Sequence, residues 1–410
     1  MTKNKRKIVN DPIYGFVTIP GDLIYDLINH KYFQRLRHIK QLGLTNLVYP
    51  GALHTRFHHA IGAMHLMQEA LYTLKQKGVI ITAEEEQATL IAILLHDIGH
   101  GPFSHALEHS IVTGVSHESI SSLLMEALNK EFKGKLTLAI KIFNDGYKKK
   151  YLHQLVSSQL DMDRLDYLKR DSFFTGVSEG VISTDRIIKM LDVVNNNLVV
   201  EVKGIYSIEK FLIARRLMYW QVYLHKTVLS AETLLVNILK RSKELSANGM
   251  DLFATPVFKK FLMNNYTKGD FVKNASLLDD FANLDDTDVM ASVKTWMNSP
   301  DKILSTLCTK LIERKLFRIE LQSTPIAKAH KNKITEKVMR AYKLNRKEAS
   351  YFVYSDTVNN SAYLASKFKI NILMNDGSLQ DVAEASDQLN LQKLSQTVSK
   401  YYLCYPKDIA

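Results

Sequence analysis

The sequence predicts a mostly α-helical protein with a smaller mixed α/β region toward its C-terminal end. Apolar residues recur at helical spacing over long stretches of the first 245 positions. Strand-like runs are few and short, and most fall after residue 315. A 46% apolar share of 410 residues is enough for one large or two ordinary cores. A division near residue 245 follows, with a helical body over 1–245 and a helical and mixed α/β region over 246–410.

Residues 54–78 read as one amphipathic helix, with Phe57, Ile61, Met64, Leu71 and Leu74 on its apolar side. Thr82 and Glu85 have capping-box spacing, and an apolar helix runs from there to His96. Gly99, Gly101 and Pro102 break it. Helical spacing returns over 152–170 and 207–241. VVEV at 199–202, LFRIEL at 316–321 and YFVYS at 351–355 read as strands, and Asn375-Asp376-Gly377 after FKINILM reads as a hairpin turn. The polar stretch 264–300 reads as short helices between turns, and no tandem repeat is present.

Composition narrows the function classes. Two cysteines, Cys308 and Cys404, cannot build a disulfide framework, so a reducing cytoplasm is expected. The N-terminal MTKNKRKIVNDPIYG is basic but has no apolar core of a signal peptide, and no apolar run reaches membrane-spanning length. A net charge of +12 fits either a solvated basic surface or a phosphate-rich partner, nucleotide or nucleic acid.

The chemistry is concentrated in histidines and aspartates from three predicted helices. His59 lies three residues after Arg56 and shares its helix face. His96 and Asp97 end an apolar helix inside LLHDIGHGPFSH. Asp163, Tyr167 and Asp171 form one stripe of a helix, with Arg164 beside it. A lone helical histidine is most often a packed or surface residue, but several independent spacings agree here. His59, His96, Asp97 and Asp163 can close on one divalent ion, and a His/Asp set suits Mn, Fe, Zn, Ni or Mg. Hydrolysis of a phosphate ester also needs cations and proton carriers. Arg56, His100, His105 and Arg164 are available for phosphates, and Glu108 and His117 for proton transfer.

These residues resemble the HD-domain phosphohydrolases. Within them the chain is similar to the deoxynucleoside triphosphate (dNTP) triphosphohydrolases, which include the vertebrate SAM-and-HD-domain enzyme and bacterial relatives. The similar stretches are NDPIYG at 10–15, FQRLRHIKQLG at 33–43, YPGALHTRFHHAIG at 49–62, LLHDIGHGPFSH at 94–105 and LDMDRLDYLKRD at 160–171, with weaker echoes at 214–226 and 313–321. The resemblance covers about 7–321 and includes no SAM domain. It implies an HD-domain helical bundle, a bound divalent metal on the four residues above, and a homo-oligomer, dimer or tetramer.

The resemblance also assigns the rest of the site. It places Arg56, His100, His105 and Arg164 around the triphosphate, Arg215 on the phosphate side, and His117 as a catalytic histidine. Glu108 stands where the vertebrate enzyme has an aspartate, on a shorter loop. Gln41 and Asp171 match groups that bind the deoxyribose 3′-hydroxyl. Leu42 and Tyr223 match residues that crowd the 2′ carbon, and Tyr167 shares that pocket. A regulatory nucleotide site between subunits is matched by Gln34, Arg37 and Arg314, with Arg186 and Lys203 nearby. Asn29 stands there in place of a guanine-reading aspartate, and Glu201 near a phosphate-binding arginine. An amide cannot accept the paired guanine N–H bonds as a carboxylate does, so GTP is expected to be a poor activator.

The expected reaction converts a dNTP and water into a deoxynucleoside and inorganic triphosphate. The rival readings are another HD phosphohydrolase, a nucleotidase or phosphodiesterase, and a catalytically retired protein that binds nucleotide or nucleic acid.

Overall fold

The computed structural model describes residues 7–103, 110–112, 114–360, 363, 369–386 and 397–409. His105 and Glu108 lie outside the described residues.

Five helices frame the region where the histidines and aspartates meet: α1 (Arg56–Gln76), α2 (Ala83–Leu95), α3 (His117–Glu131), α4 (Met162–Thr175) and α5 (Ile205–Met218). Helix α1 starts at Thr55, whose capping box is closed by His58. The Thr82–Glu85 box starts α2, with Glu85 N donating to Thr82 Oγ1 at 3.2 Å and Thr82 N to Glu85 Oε2 at 2.9 Å. From Ala88 to Leu95 every residue of α2 is buried, so it is a central helix apolar all round. It packs on α1, and α1 packs on α4.

Two of the expected helices are broken. The 152–170 stretch is a short helix, Lys150–Val156, followed by α4. Asp161 starts α4 by accepting Arg164 N at 2.8 Å, while its other oxygen accepts Ser158 N at 2.7 Å. The 207–241 stretch contains α5, one π-helical turn over Tyr219–Tyr223, and α6 (Lys226–Ala247). Apolar spacing continues through both breaks without registering them.

The strands form three small sheets. β1 (Lys7–Asp11) and β2 (Gly15–Ile19) make a hairpin. β3 (Leu191–Val194), β4 (Asn197–Glu201), β7 (Asn371–Leu373) and β8 (Leu379–Asp381) form a sheet in the order β3-β4-β7-β8. Its β7–β8 hairpin turns at the Asn-Asp-Gly site. β5 (Arg318–Gln322), β9 (Val398–Tyr405) and β6 (Tyr354–Asn360) form the third, in the order β5-β9-β6. The expected strand at 351–355 enters the ladder only from Tyr354. The residues before it follow a short helix, Arg346–Ala349.

Segments far apart in the chain are joined by hydrogen bonds to backbone groups. β4 pairs with β7 in parallel, Val199 opposite Asn371. Arg35 is buried and donates to Ile98 O at 2.8 Å, His100 O at 2.7 Å and Leu284 O at 3.3 Å. Asp286, the first residue of α7 (Asp286–Trp296), accepts Lys40 N at 3.0 Å and Phe103 N at 3.2 Å. The turn after α2 is thereby held on two sides. No helix among the described residues is long and apolar enough to cross a membrane.

Candidate metal centre and adjoining pocket

His59 comes from the first turn of α1, His96 from the C-terminal end of α2, and Asp163 from the first turn of α4. Their ligand atoms all lie within 4.8 Å of one another. His59 Nε2 is 3.4 Å from His96 Nε2 and 3.2 Å from Asp163 Oδ1, and His96 Nε2 is 3.5 Å from that oxygen. Asp97 adds Oδ1 at 3.3 Å from His96 Nε2. Its Oδ2 is held by Arg56 Nη1 at 2.5 Å and lies 3.9 Å from His59 Nε2.

Both imidazoles have their tautomer set by a partner behind the ring. His96 Nδ1 lies 2.6 Å from Ile93 O, an acceptor, so Nδ1 donates. His59 Nδ1 donates to Asp166 Oδ2 at 2.7 Å, and Asp166 is a carboxylate. Burial raises the Asp166 pKa, but Arg170 and His59 outweigh that and bring it to about 2. The two Nε2 lone pairs therefore face each other and an aspartate oxygen with no donor between them. Such a set is stable only around a cation or a proton, and it fits a divalent ion. Burial disfavours charge on His59, but the Asp163 and Asp166 carboxylates outweigh it and pull its pKa up to about 10. The negative potential that would hold a proton there also favours a metal ion.

The support behind His59 was not legible from motif spacing. Asp166 receives Arg170 Nε and Nη2, both at 2.9 Å, and Arg170 Nη1 reaches Asp11 Oδ2 at 2.8 Å. All three residues are buried. Asp166 and Arg170 are four apart on α4, a signal that could have been read as an ion pair, but Asp11 joins only through the fold. Gly62 makes room for this pair. A Cβ there would stand 2.1 Å from both Arg170 Nη2 and Asp166 Oδ1. Gly62→Ala should cost about 1–3 kcal/mol despite the better helix propensity of alanine. It should also weaken metal binding by displacing Asp166. A lower melting temperature with reduced metal content checks this, and an alanine variant at least as stable as the parent contradicts it.

Beside the metal ligands, His100 Nε2 lies 3.2 Å from Asp97 Oδ1. Its ring stacks on that of His117, centroids 3.8 Å apart at 17°. Burial, then the nearby Arg56 charge, lowers the His100 pKa to about 3, so this imidazole is neutral at ordinary pH. His117 opens α3, and its Nε2 is 3.3 Å from Glu118 Oε1. The stacking depends on Gly99, where a Cβ would meet His117 O and Ser121 N, each at 2.3 Å. Arg164, expected at phosphates, forms an ion pair with Asp161. Arg56 is likewise engaged with Asp97.

Eight residues after Asp163 on α4, Asp171 joins a second cluster of polar side chains. Its Oδ2 accepts Tyr223 Oη at 2.7 Å, and its Oδ1 is 2.7 Å from His54 Nε2. The π-helical turn ends at Tyr223. Tyr167 packs edge-on against Tyr223, centroids 6.1 Å apart. His54, which no motif pointed to, stacks on Phe174 at 4.5 Å, and its carbonyl accepts Gln41 N at 3.0 Å. Gln41 Oε1 is buried with no hydrogen-bond partner among the described residues. Leu42 packs against the core, and Arg215 is 9% exposed on α5.

The regulatory candidates fall into three groups. Gln34 Oε1 accepts Arg37 Nε at 2.9 Å, and Asn29 caps its own helix by donating to Tyr25 O at 2.8 Å. Arg186 Nη2 donates to Lys203 O at 2.9 Å. Arg314 Nε donates to Leu47 O at 2.7 Å. Glu201 pairs with Lys77 at 2.6 Å. No hydrogen bond or ion pair among the described residues links the three groups.

The HD domain family matches residues 56–171, and the HD associated region matches 182–253. The chain is 31% identical to YwfO of Bacillus subtilis, over 99% of this chain and 93% of that protein. It is 32% identical to the Dictyostelium discoideum homolog of the deoxynucleoside triphosphate triphosphohydrolase SAMHD1, over 58% of this chain and 49% of that one. The crystal structure of a phosphohydrolase from Bacteroides thetaiotaomicron superposes with a TM-score of 0.95 at 52% identity, covering 98% of this chain and all of that one.

Proposed function

The chain belongs to the HD-domain phosphohydrolases that carry an HD-associated region, relatives of the SAMHD1 dNTPases, and on that premise we propose that it is a dNTP triphosphohydrolase. The observation that carries the proposal is the pairing of two sites on one helix. Asp163 joins the His59/His96 cluster, and buried Asp171 bonds Tyr223 and His54, beside Gln41, whose Oε1 has no hydrogen-bond partner among the described residues. Eight residues of α4 separate them by about 12 Å along the helix axis. Phosphates lie at one end and the sugar at the other.

His59, His96, Asp97 and Asp163 would hold a divalent ion, which would polarise a phosphate oxygen and lower the pKa of water. Water adds to the α-phosphorus, the bond from phosphorus to the sugar O5′ breaks, and a proton goes to O5′. Arg56 and Arg164 exchange their aspartate partners for phosphate oxygens and offset charge in the transition state. His117, stacked on neutral His100, supplies the proton to the leaving oxygen. Asp171 accepts the 3′-hydroxyl, and the Gln41 amide oxygen is a second acceptor for it. A substrate lacking that hydroxyl leaves these groups unpaired. Tyr223, fixed by Asp171, and Leu42 fill the space a ribose 2′-hydroxyl would need.

Chromatography of the products with each dNTP tests the reaction. Deoxynucleoside and triphosphate are expected. Monophosphate or inorganic phosphate as first product would make it a different HD hydrolase. The sugar argument has its own check. The kcat/KM for dGTP should exceed that for GTP, and Tyr223→Ala should narrow the gap by about tenfold or more. Equal values for the two nucleotides in the parent protein contradict the assignment of Tyr223.

A further inference from the structure

More than half of this protein's charge imbalance sits far along the chain from the phosphohydrolase motifs. Residues 328–347 hold eight lysines and arginines against one acid, Glu336, in a chain whose net charge is +12. They form helix α8 (Lys328–Tyr342) and the turn and short helix after it. Some surface lysines elsewhere are paired, Lys31 with Asp279 and Lys259 with Asp251 among them, and others, such as Lys189 and Lys294, are exposed without an ion pair among the described residues. What sets α8 apart is how closely its cations follow one another on a single helix. Lys328, Lys333, Lys337, Arg340 and Lys343 are exposed and make no ion pair among the described residues. Like charges at this density repel, so leaving them unpaired is a cost that an anionic partner would remove.

The cations stand on a rigid support. Ile334, Thr335 and Val338 are buried on the opposite face of α8. Tyr342 stacks on Phe352, centroids 5.1 Å apart at 25°, and its hydroxyl reaches Asp408 at 2.8 Å. Lys331 Nζ donates to Ser355 Oγ at 2.8 Å. Lys333, Lys337 and Arg340 fall at i, i+4 and i+7, within one outward stripe about 10 Å long. Small residues flank it, Ala329, Asn332 and Ala341. No large apolar side chain between 328 and 347 is exposed.

From this we infer that the outer face of α8 docks on the phosphate backbone of double-stranded nucleic acid, independently of base sequence. A membrane surface would call for exposed apolar side chains beside the cations, and the apolar face of α8 is already used in the core. Unpaired strands are gripped through aromatic platforms as well as cations, and none is exposed here. A straight row of cations with short neighbours suits a groove edge, where charge is densest.

The test is binding of the full chain to a mixed-sequence DNA duplex across salt concentrations. The variant is Lys333→Gln with Lys337→Gln and Arg340→Gln. A control carries three glutamines at the exposed Lys148, Lys189 and Lys294. The parent should bind with an affinity that falls steeply with salt. The α8 variant should lose about tenfold or more at low salt, and its log–log salt slope should be shallower by about 3, one per lost phosphate contact. Melting temperature and metal content should not change, because these side chains touch neither the core nor the metal site. No duplex binding by the parent at low salt overturns the inference. Equal losses in the two variants overturn it as well, as does tighter binding to a single strand of the same length or to anionic lipid vesicles.

Discussion

Replacing His96 and Asp97 together by alanine is expected to remove both the bound divalent ion and all turnover. His96 contributes one of the two Nε2 lone pairs that face each other at 3.4 Å, and Asp97 the carboxylate beside them. Without them His59 and Asp163 remain, 3.2 Å apart. That pair is satisfied by a single proton, since His59 is drawn toward its charged form by Asp163 and Asp166 despite burial. Protons and metal compete for the same lone pair, so metal should also be lost from the parent protein as pH falls. Elemental analysis of the purified variant, with its melting temperature as a check on folding, decides the point. Stoichiometric metal in that variant would overturn the site.

His117→Ala should behave differently, keeping its metal while turnover falls by about 10²–10⁴-fold, or roughly 3–5 kcal/mol of barrier. The stacked rings of His100 and His117 are not equivalent. Burial and Arg56 keep His100 neutral, with a pKa of about 3, so it cannot carry a proton at ordinary pH. His117 is more open, with 22% of its side chain exposed and Glu118 beside it. The loss should appear in kcat rather than KM, and one limb of the kcat–pH profile should flatten. Turnover equal to the parent, with an unchanged profile, would place the proton donor elsewhere.

Much of the helical frame was legible because each helix near the site carries its own local signal. The Thr82–Glu85 box and the unbroken apolar run of α2 allow little else, and the glycines after His96 end the helix where they should. The misread elements share one cause. Apolar spacing continues across Ser157–Asp161 and across the π-helical turn, so periodicity alone does not register a break. The strand at 351–355 was placed early for a related reason: aromatic residues that looked like strand pack as the end of a short helix.

At the candidate site, the sequence by itself determined which chemistry could occur. Two histidines and two aspartates at those spacings supply the ligand atoms a divalent ion needs, with arginines and histidines close by for phosphate. Only the tertiary structure decided how each group is used. Asp166, Arg170 and Asp11 form a buried chain that sets the His59 tautomer, yet Asp11 is far from the others in sequence. His54 joins Asp171 only because the loop before α1 folds against the end of α4. Arg35 and Asp286 grip the metal turn through backbone groups, for which side-chain identity gives no signal. Local spacing can reveal which residues share a helix face. Which faces meet, and which neighbour sets a proton's position, depends on long-range packing and exists only in the folded chain.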